Sequence, residues 1–421
     1  MKKFSKTCIF VILIYMFTFQ NFLQSIIPGF SYFDELVSIC IIPIIIFKII
    51  NIKKKNNGRK IYEYIKKFDI IMIICLIMMF LIGILGNVIY KYQTNLYVFM
   101  DIVLIFKFFG AYLLSQFIFN FKEIDLEKIS KHVKGIMIFI LIGTIIDYIF
   151  KINLTDTIRW GFHSNKFIYE TPTSLAAEMV FLLALYIMTS KKIDIKYIII
   201  DLIILISTAR TKAIAFSIIA IILYLYQMKF DKKINIKLIL ILGGIGILLS
   251  INKLKYYFID LANESARYLL LETSLKIIKD YFPIGCGFGT FGSYVSGLNY
   301  SPLYQNYNIH NYLGLTKENP AFISDSFWAM IAGQFGMTGI IIWIILIYVI
   351  FKKIQQSYNK EIRFIYISKI IVLMYLLISS MAESAFVNSF AIPFAIILGI
   401  STNKTYNKNK QYNKSFGAEK C

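Results

Sequence analysis

Long uninterrupted apolar runs dominate this chain, as in IIMIICLIMMFLIGIL (residues 70–85) and GIIIWIILIYVIF (residues 339–351). A helix needs roughly 20 apolar residues to cross the hydrocarbon core of a bilayer, and its backbone polar groups must be bonded within the segment. About twelve segments meet this criterion. They are centred near residues 17, 44, 79, 107, 142, 181, 202, 220, 244, 338, 373 and 392. The sequence therefore predicts an all-α polytopic membrane protein.

The charge of the chain, formally +21, indicates orientation in the membrane. Lysine-rich stretches, such as KIINIKKKNNGRK (residues 48–60) and the tail from residue 403, alternate with the apolar segments in the positive-inside pattern. This pattern predicts that both termini are cytoplasmic and that the basic residues contact anionic membrane lipid. Nucleic acid is excluded as a partner. The first apolar segment has a basic start but no cleavage site, so it is predicted to be a retained helix.

Four regions follow from the segment spacing. Nine helices are predicted over residues 1–251, a large extracytoplasmic loop over 252–323, three helices over 324–400, and a disordered cytoplasmic tail over 401–421. A smaller external loop is predicted over residues 151–172. These residue numbers are the predicted boundaries of the regions.

The large loop opens with an amphipathic helix, for which Asn263 is the predicted N-cap and Pro283 the stop. Helical periodicity places Glu272, Lys276 and Lys279 on a solvated stripe, with Arg267 on the opposite, apolar side. An arginine in that position either extends its charged group back to water or points into a polar cavity. Both alternatives follow from the sequence.

Three of the five arginines, Arg159, Arg210 and Arg267, map to the predicted outside, against the charge gradient. The guanidinium group presents a planar pair of donors to phosphate oxygens, which suggests a phosphate-bearing ligand. Arg210 follows a predicted helix over residues 196–207, which rises only about 18 Å. Because the hydrocarbon layer is roughly 30 Å thick, Arg210 and Lys212 are predicted to lie below the outer surface. The alternative is a loop whose charges reach the lipid head groups.

The stretch GCGFGTFG (residues 285–292) contains G-x-G-x-x-G, the spacing of a dinucleotide-binding loop. It follows a predicted helix and a proline instead of a strand, and no acidic residue stands about 20 positions further on, so the nucleotide interpretation fails. Gly287 and Gly289 are expected to offer free backbone N–H groups to an anionic or sugar ligand instead.

The next stretch, SYVSGLNYSPLYQNYNIHNYLG (residues 293–314), is dense in tyrosine and asparagine. Aromatic faces and amide groups suit sugar rings, so Tyr300, Tyr304 and Asn311 are candidate substrate-binding residues. The alternative is an interfacial aromatic belt.

Ionisable residues inside the predicted helices are candidates for function. Glu178 lies about a turn and a half into the sixth helix and is a candidate substrate-binding residue. Lys107 lies near the middle of the fourth helix, and an ion pair with an unidentified carboxylate would account for it structurally. The scattered cysteines and histidines predict neither a disulfide framework nor a metal site.

Three motifs together resemble the O-antigen polymerase and ligase family, over roughly residues 205–339. They are STARTKA (residues 207–213), Arg267 with FPIGCGFGTFGS (residues 282–293), and DSFWAMIAGQFGMTG (residues 325–339). The resemblance implies a membrane glycosyltransferase that needs neither metal nor cofactor, on the outer face of the bacterial cytoplasmic (inner) membrane. Its donor would be a glycan on undecaprenyl diphosphate. A chain-length regulator and a flippase are the partners that it implies.

Arg210 and Arg267 match arginines of that family, and the resemblance implies that they clamp the diphosphate. The residue at the position of the ligases' histidine, counted from Gly336, is Asp325, whereas the His310–Asn311 pair lies fifteen positions earlier. Either His310 has been displaced by an insertion, or Asp325 takes the polar role, or Asp325 only caps the tenth helix. The first hypothesis is a repeat-unit polymerase of lipopolysaccharide or capsule synthesis. The alternatives are an O-antigen ligase that transfers glycan to the lipid A core, and a flippase of lipid-linked oligosaccharides.

Overall fold

The structure is a computed structural model that describes residues 3–37, 39, 67–159, 161–190, 192–249, 251, 255–261 and 264–402. Two expectations fall outside these residues: the second apolar segment near residue 44 with the basic stretch that follows it, and the tail from residue 403. The predicted cap Asn263 is outside them too.

The chain builds helices almost throughout the described residues. In order they are α1 (Lys3–Thr18), α2 (Gln20–Ile26), α3 (Lys67–Tyr90), α4 (Asn95–Ile118), α5 (Leu126–Phe150), α6 (Pro172–Thr189), α7 (Ile195–Ser207), α8 (Thr211–Phe230), α9 (Ile236–Leu249), α10 (Ala266–Asp280), α11 (Tyr294–Leu298), α12 (Leu303–Asn306), α13 (Phe327–Gln356), α14 (Arg363–Ser380) and α15 (Ala391–Gly399). Two strands, β1 (Leu154–Arg159) and β2 (Phe162–Asn165), lie between α5 and α6.

Among the described residues, seven helices are long and apolar enough to cross a membrane. They are α3, α4, α5, α6, α8, α13 and the helical segment Lys360–Ser380 that contains α14. An eighth span results if α1 and α2, which meet at an angle of 69°, are one broken crossing. The chain is therefore a mostly helical, multi-pass membrane protein.

Three of the predicted segments form helices that are short for a crossing. The segment near residue 202 forms α7 with 13 residues, the segment near 244 forms α9 with 14, and the segment near 392 forms α15 with 9. Polar residues interrupt two of these apolar runs: Ser207 to Arg210 follow α7, and the turns of residues 381–390 precede α15. The described part of the chain therefore does not reach the predicted number of about twelve spans.

Helix α6 is the centre of the bundle. Its side chains are buried along almost the whole length of the helix, and it packs against α5, α7, α14 and α15. Lys107, on α4, forms ion pairs with Asp34 and Glu35, and its side chain is only 2% exposed. These are the carboxylates that the sequence left unidentified, and they give Lys107 a structural explanation.

The strands β1 and β2 pair in an antiparallel hairpin, so the predicted all-α fold holds for the bundle but not for the connection between α5 and α6. The Tyr148 hydroxyl lies 2.7 Å from the carbonyl oxygen of His163 in the hairpin. It also lies 3.1 Å from the carbonyl oxygen of Ser207, the last residue of α7. The hairpin is thus held beside the end of α7.

The glycine-rich loop of residues 285–292 lies wedged between α3 and α13. Gly285, Gly287, Gly289 and Gly292 all have positive φ angles, between 67° and 97°. A Cβ atom at Gly285 would lie 2.5 Å from the backbone nitrogen of Gly336, where α13 is kinked. The helix begins at Phe327 and continues past the kink. The loop presses on α13 at the kink, because only glycine allows such close backbone contact.

Candidate functional site

Helix ends meet at one end of the bundle and bring charged side chains together. Arg210 is the N-cap of α8, and Lys212 is the second residue of that helix. Arg267 lies in the first turn of α10, Asp325 just before α13, and Glu383 just after α14. We call these five residues the charged cluster.

Two ion pairs organise the charged cluster. An Nη2 atom of Arg267 lies 3.0 Å from Oδ2 of Asp325, with 29% and 30% of the two side chains exposed. The Nζ atom of Lys212 lies 2.6 Å from Oε1 of Glu383, with 17% and 20% exposed. The prediction that Arg267 lies on the side of α10 opposite the solvated stripe is confirmed, because Leu270, Ser274 and Ile277 of the same helix face are buried. Both pairs are partly exposed, so an entering ligand can compete for either cation.

Two hydrogen bonds hold the carboxylate-bearing segments together. The Ser384 hydroxyl donates to the carbonyl oxygen of Ser324 at 2.7 Å, and the indole N–H of Trp328 donates to the Ser380 hydroxyl at 3.2 Å. Asp325 and Glu383 consequently lie within electrostatic range of each other. The segment before α13 and the segment after α14 thus form one wall.

The three cations act on one another as a group. Lys212 lies within electrostatic range of both Arg267 and Arg210. Like charges at this range repel, and the two carboxylates of the cluster offset only part of that repulsion. Three cations and two carboxylates thus meet in the charged cluster.

Burial raises the pKa of Asp325 above its ordinary value, and the neighbouring Arg267 cation lowers it in part. The N-cap of α13 is Ser326, and its side chain makes no capping hydrogen bond. The Asp325 carboxylate binds Arg267 instead, so the alternative that it only caps the helix is wrong. Asp325 is positioned as a carboxylate facing the cations.

Hydroxyl groups line the turn between α7 and α8. Ser207 and Thr208 donate back to carbonyl oxygens of α7 at 2.7 Å each. The hydroxyl of Thr211 is buried and has no hydrogen-bond partner among the described residues. Thr211 is the first residue of α8, where the helix dipole and the amide hydrogens favour a negative ligand.

The expectation that Gly287 and Gly289 offer free N–H groups is wrong. The N–H of Gly287 donates to the carbonyl oxygen of Gln334 at 2.8 Å, and that of Gly289 donates to Oδ2 of Asp101 at 2.8 Å. Both glycines are fully enclosed. Their N–H groups stabilise the contact with α13 and α4, so they are not available to a ligand.

The tyrosines of the loop are structural. Tyr304 is fully buried, stacks on Phe291, and its hydroxyl accepts the N–H of Gly292 at 2.9 Å. Its ring has no free face for a sugar, so the expectation for Tyr304 is wrong. Tyr300 is partly buried, and its hydroxyl donates to the carbonyl oxygen of Leu315. Its predicted sugar-binding role has no support from this contact.

Four other predicted site residues do not belong to the charged cluster. His310 is partly buried and Asn311 is exposed; among the described residues, no hydrogen bond or ion pair joins either of them to the cluster. Arg159 lies at the end of β1, on the hairpin beside α7. Glu178 lies inside the bundle, where it accepts a hydrogen bond from the Thr18 hydroxyl at 2.7 Å. The functional roles of these four residues stay predictions.

Glu383 was not a predicted site residue, although it forms one of the two ion pairs. The available signal was a carboxylate between two apolar segments on the predicted outer side. Its partner Lys212 lies on a helix far away in the sequence, so only the folded chain shows the pairing. No group of three or more His, Cys, Asp or Glu side chains suited to a metal ion occurs within the described ranges.

Comparison with known proteins adds no assignment. No protein-family model matches the chain, and no curated protein sequence matches it. The charged cluster is therefore interpreted from its own geometry.

Proposed function

We propose that this protein is a polymerase that joins undecaprenyl-diphosphate-linked oligosaccharide repeat units into O-antigen or capsular polysaccharide. It works on the outer face of the bacterial cytoplasmic membrane. The observation that supports the proposal is the charged cluster at the helix ends, where Lys212 lies within electrostatic range of Arg210 and Arg267 and both ion pairs are partly exposed. A lipid diphosphate carries its charge at the membrane surface, where the head of the carrier lies.

In the absence of substrate, the carboxylates Asp325 and Glu383 occupy the cations Arg267 and Lys212. A diphosphate group carries more negative charge than either carboxylate and accepts paired hydrogen bonds from guanidinium. The donor lipid therefore displaces the carboxylates from the cations. This exchange releases Asp325 at the moment when the donor is bound.

The reaction then needs a leaving group and a proton acceptor. A hydroxyl oxygen of the incoming lipid-linked unit forms a bond to the anomeric carbon of the growing chain. The bond from that carbon to the diphosphate oxygen breaks, and the cations stabilise the charge that develops on the departing diphosphate. The hydroxyl proton passes to the Asp325 carboxylate, which acts as general base.

The position of Asp325 favours a polymerase over a ligase. The resemblance associates ligases with a histidine at the position where this chain has Asp325. Among the described residues, His310 forms no hydrogen bond or ion pair with the charged cluster. A carboxylate beside the cations is the arrangement that we expect in a polymerase.

Replacing Arg210 by Ala is expected to lower polymer formation about 100-fold, because one preorganised cation facing the leaving group is lost. Single repeat units on the lipid carrier would accumulate. The readout is the chain length of lipid-linked glycan in cells and in reconstituted vesicles. Arg363→Ala is the matched control, because Arg363 begins α14 at its other end, where its guanidinium lies over the Phe364 ring.

Wild-type chain lengths in Arg210→Ala would contradict the diphosphate clamp. Deletion of the whole protein distinguishes the reaction class. A polymerase deletion leaves no polymer on the carrier. Long polymer on the carrier, without transfer to the lipid A core, would instead indicate a ligase.

The pH dependence of transfer tests Asp325 as the base. A base must be ionised, so the rate falls as the pH falls through the raised pKa of Asp325. The Arg267 cation lowers that pKa. In Arg267→Gln the residual activity should therefore lose its rate at a higher pH than the wild type does. Arg159→Gln should leave the midpoint unchanged, and an unmoved midpoint in Arg267→Gln would show that another group is the base.

A further inference from the structure

A second cationic site lies at the other ends of α13 and α14, far along both helices from the charged cluster. There the structure has a cavity of about 50 Å³. Its lining includes Tyr112, Gln116, Lys353, Lys369, Ile400 and Thr402. A single water molecule needs only about 10–15 Å³ of such volume, so this cavity has room for a group of several atoms.

Lys369 lies on α14 and is only 5% exposed. Its ammonium donates one hydrogen bond, to the carbonyl oxygen of Ile400 at 2.6 Å. An ammonium group has three donors, and a buried cation costs free energy unless acceptors or an anion compensate it. Lys369 therefore has donor capacity to spare at the cavity wall.

A second ammonium group stands at the same cavity. Lys353 forms an ion pair with Asp69, donates to Oε1 of Gln116 at 3.0 Å and lies 5.0 Å from the centre of the Tyr112 ring. It also repels Lys369 electrostatically. Two lysine side chains thus line this cavity, and Asp69 pairs with one of them, Lys353.

We propose that this cavity binds the phosphate group of an anionic ligand, held by Lys369 and Lys353. Lysine ammonium groups bind phosphate as point charges, and a phosphate in the cavity would accept the hydrogen bonds that Lys369 has to spare. The site is separate from the charged cluster, so it does not depend on the proposed polymerase activity. It is a binding site and requires no chemistry.

Two sources supply such a phosphate: a lipid head group and inorganic phosphate. The positive-inside pattern predicts that this end of the bundle faces the cytoplasm, where the leaflet is rich in anionic lipid. The N-terminal helix meets the bundle at the same end, because Lys6 donates to the carbonyl oxygen of Ile118 at 3.2 Å. Ser401, beside the cavity, pairs with Asn120, just beyond α4.

The test uses the full chain, purified in detergent and stripped of lipid. Thermal unfolding is measured with inorganic phosphate against chloride at equal ionic strength. It is measured again in nanodiscs of phosphatidylcholine with and without phosphatidylglycerol. Lys369→Met is compared with Lys360→Met, which removes the same charge from a side chain that is 78% exposed.

Wild type and Lys360→Met are expected to be stabilised by one of the two ligands. Lys369→Met should bind that ligand at least about tenfold more weakly, because a charge-assisted hydrogen bond is lost. Stabilisation by phosphatidylglycerol alone identifies a lipid head group, and stabilisation by inorganic phosphate identifies a soluble anion.

A second variant keeps the test decisive if Lys369→Met does not fold. Thr402→Phe fills the rim of the cavity without removing a charge and should also abolish the ligand-dependent shift. The proposal is overturned if neither ligand stabilises the wild type. It is equally overturned if the folded variants respond to the ligands as the wild type does.

Discussion

Exchanging the two residues of the ion pair between Arg267 and Asp325, by Arg267→Asp together with Asp325→Arg, is expected to leave the protein folded. We expect the exchange to lower glycan transfer about 1,000-fold. The pair of opposite charges, now at 3.0 Å, is restored in reverse. The guanidinium, however, projects from the segment before α13 instead of α10, and the carboxylate moves onto α10. Since catalytic groups misplaced by about 1 Å lose about 100-fold in rate, both roles fail together.

The exchange separates function from stability. Both side chains are almost a third exposed, and an exposed ion pair contributes only about 0–1 kcal/mol to the free energy of unfolding. Unfolding therefore cannot explain a large loss of transfer. Two measurements distinguish a loss of transfer from a loss of stability: the amount of polymer formed from lipid-linked units, and the temperature of unfolding in detergent.

The matched control is the ion pair between Glu272 and Lys276, on the outer face of the same helix at 2.7 Å. Exchanging these two residues should change neither stability nor transfer. Wild-type transfer in the Arg267–Asp325 exchange would mean that these two residues only neutralise each other's charge. Arg267 would then not bind the diphosphate of the donor.

Local periodicity predicted the features that depend on neighbouring residues in the sequence. The 3.6-residue repeat placed Arg267 opposite the solvated stripe, and in the structure it faces the buried side of α10. The shortness of the helix before Arg210 was also predictable, and α7 ends at Ser207. Both follow from properties that a single helix carries by itself.

Partners that are distant in the sequence were not predictable. The N–H of Gly289 bonds to Asp101, and Lys212 pairs with Glu383; each pair is separated by more than 150 positions. The fully buried ring of Tyr304 has the same explanation, since its enclosure depends on how the loop folds against itself. Such contacts depend on how the helices pack, which no local pattern encodes.

Replacing Gly287 by Ala is expected to lower the free energy of unfolding by about 2–6 kcal/mol. Its φ angle of 97° is strained for any residue with a side chain, which costs about 1–3 kcal/mol. The new Cβ atom would lie 2.5 Å from the backbone nitrogen of Asn87 in α3, and such overpacking adds about 1–3 kcal/mol. Thermal unfolding and the monodisperse fraction on gel filtration measure the loss.

Two glycines provide graded controls for this substitution. Gly161 has a φ of 80° but no atom within 4 Å of its ideal Cβ, so Gly161→Ala pays only for backbone strain. Gly110 lies inside α4 with equally open space, and Gly110→Ala should stabilise the helix by about 0.5–1 kcal/mol. If Gly287→Ala were as stable as Gly161→Ala, the loop would not be wedged against α3.

The same glycine-rich loop contacts α13, which begins two residues after Asp325. Gly287→Ala should therefore also lower glycan transfer by the protein that remains folded.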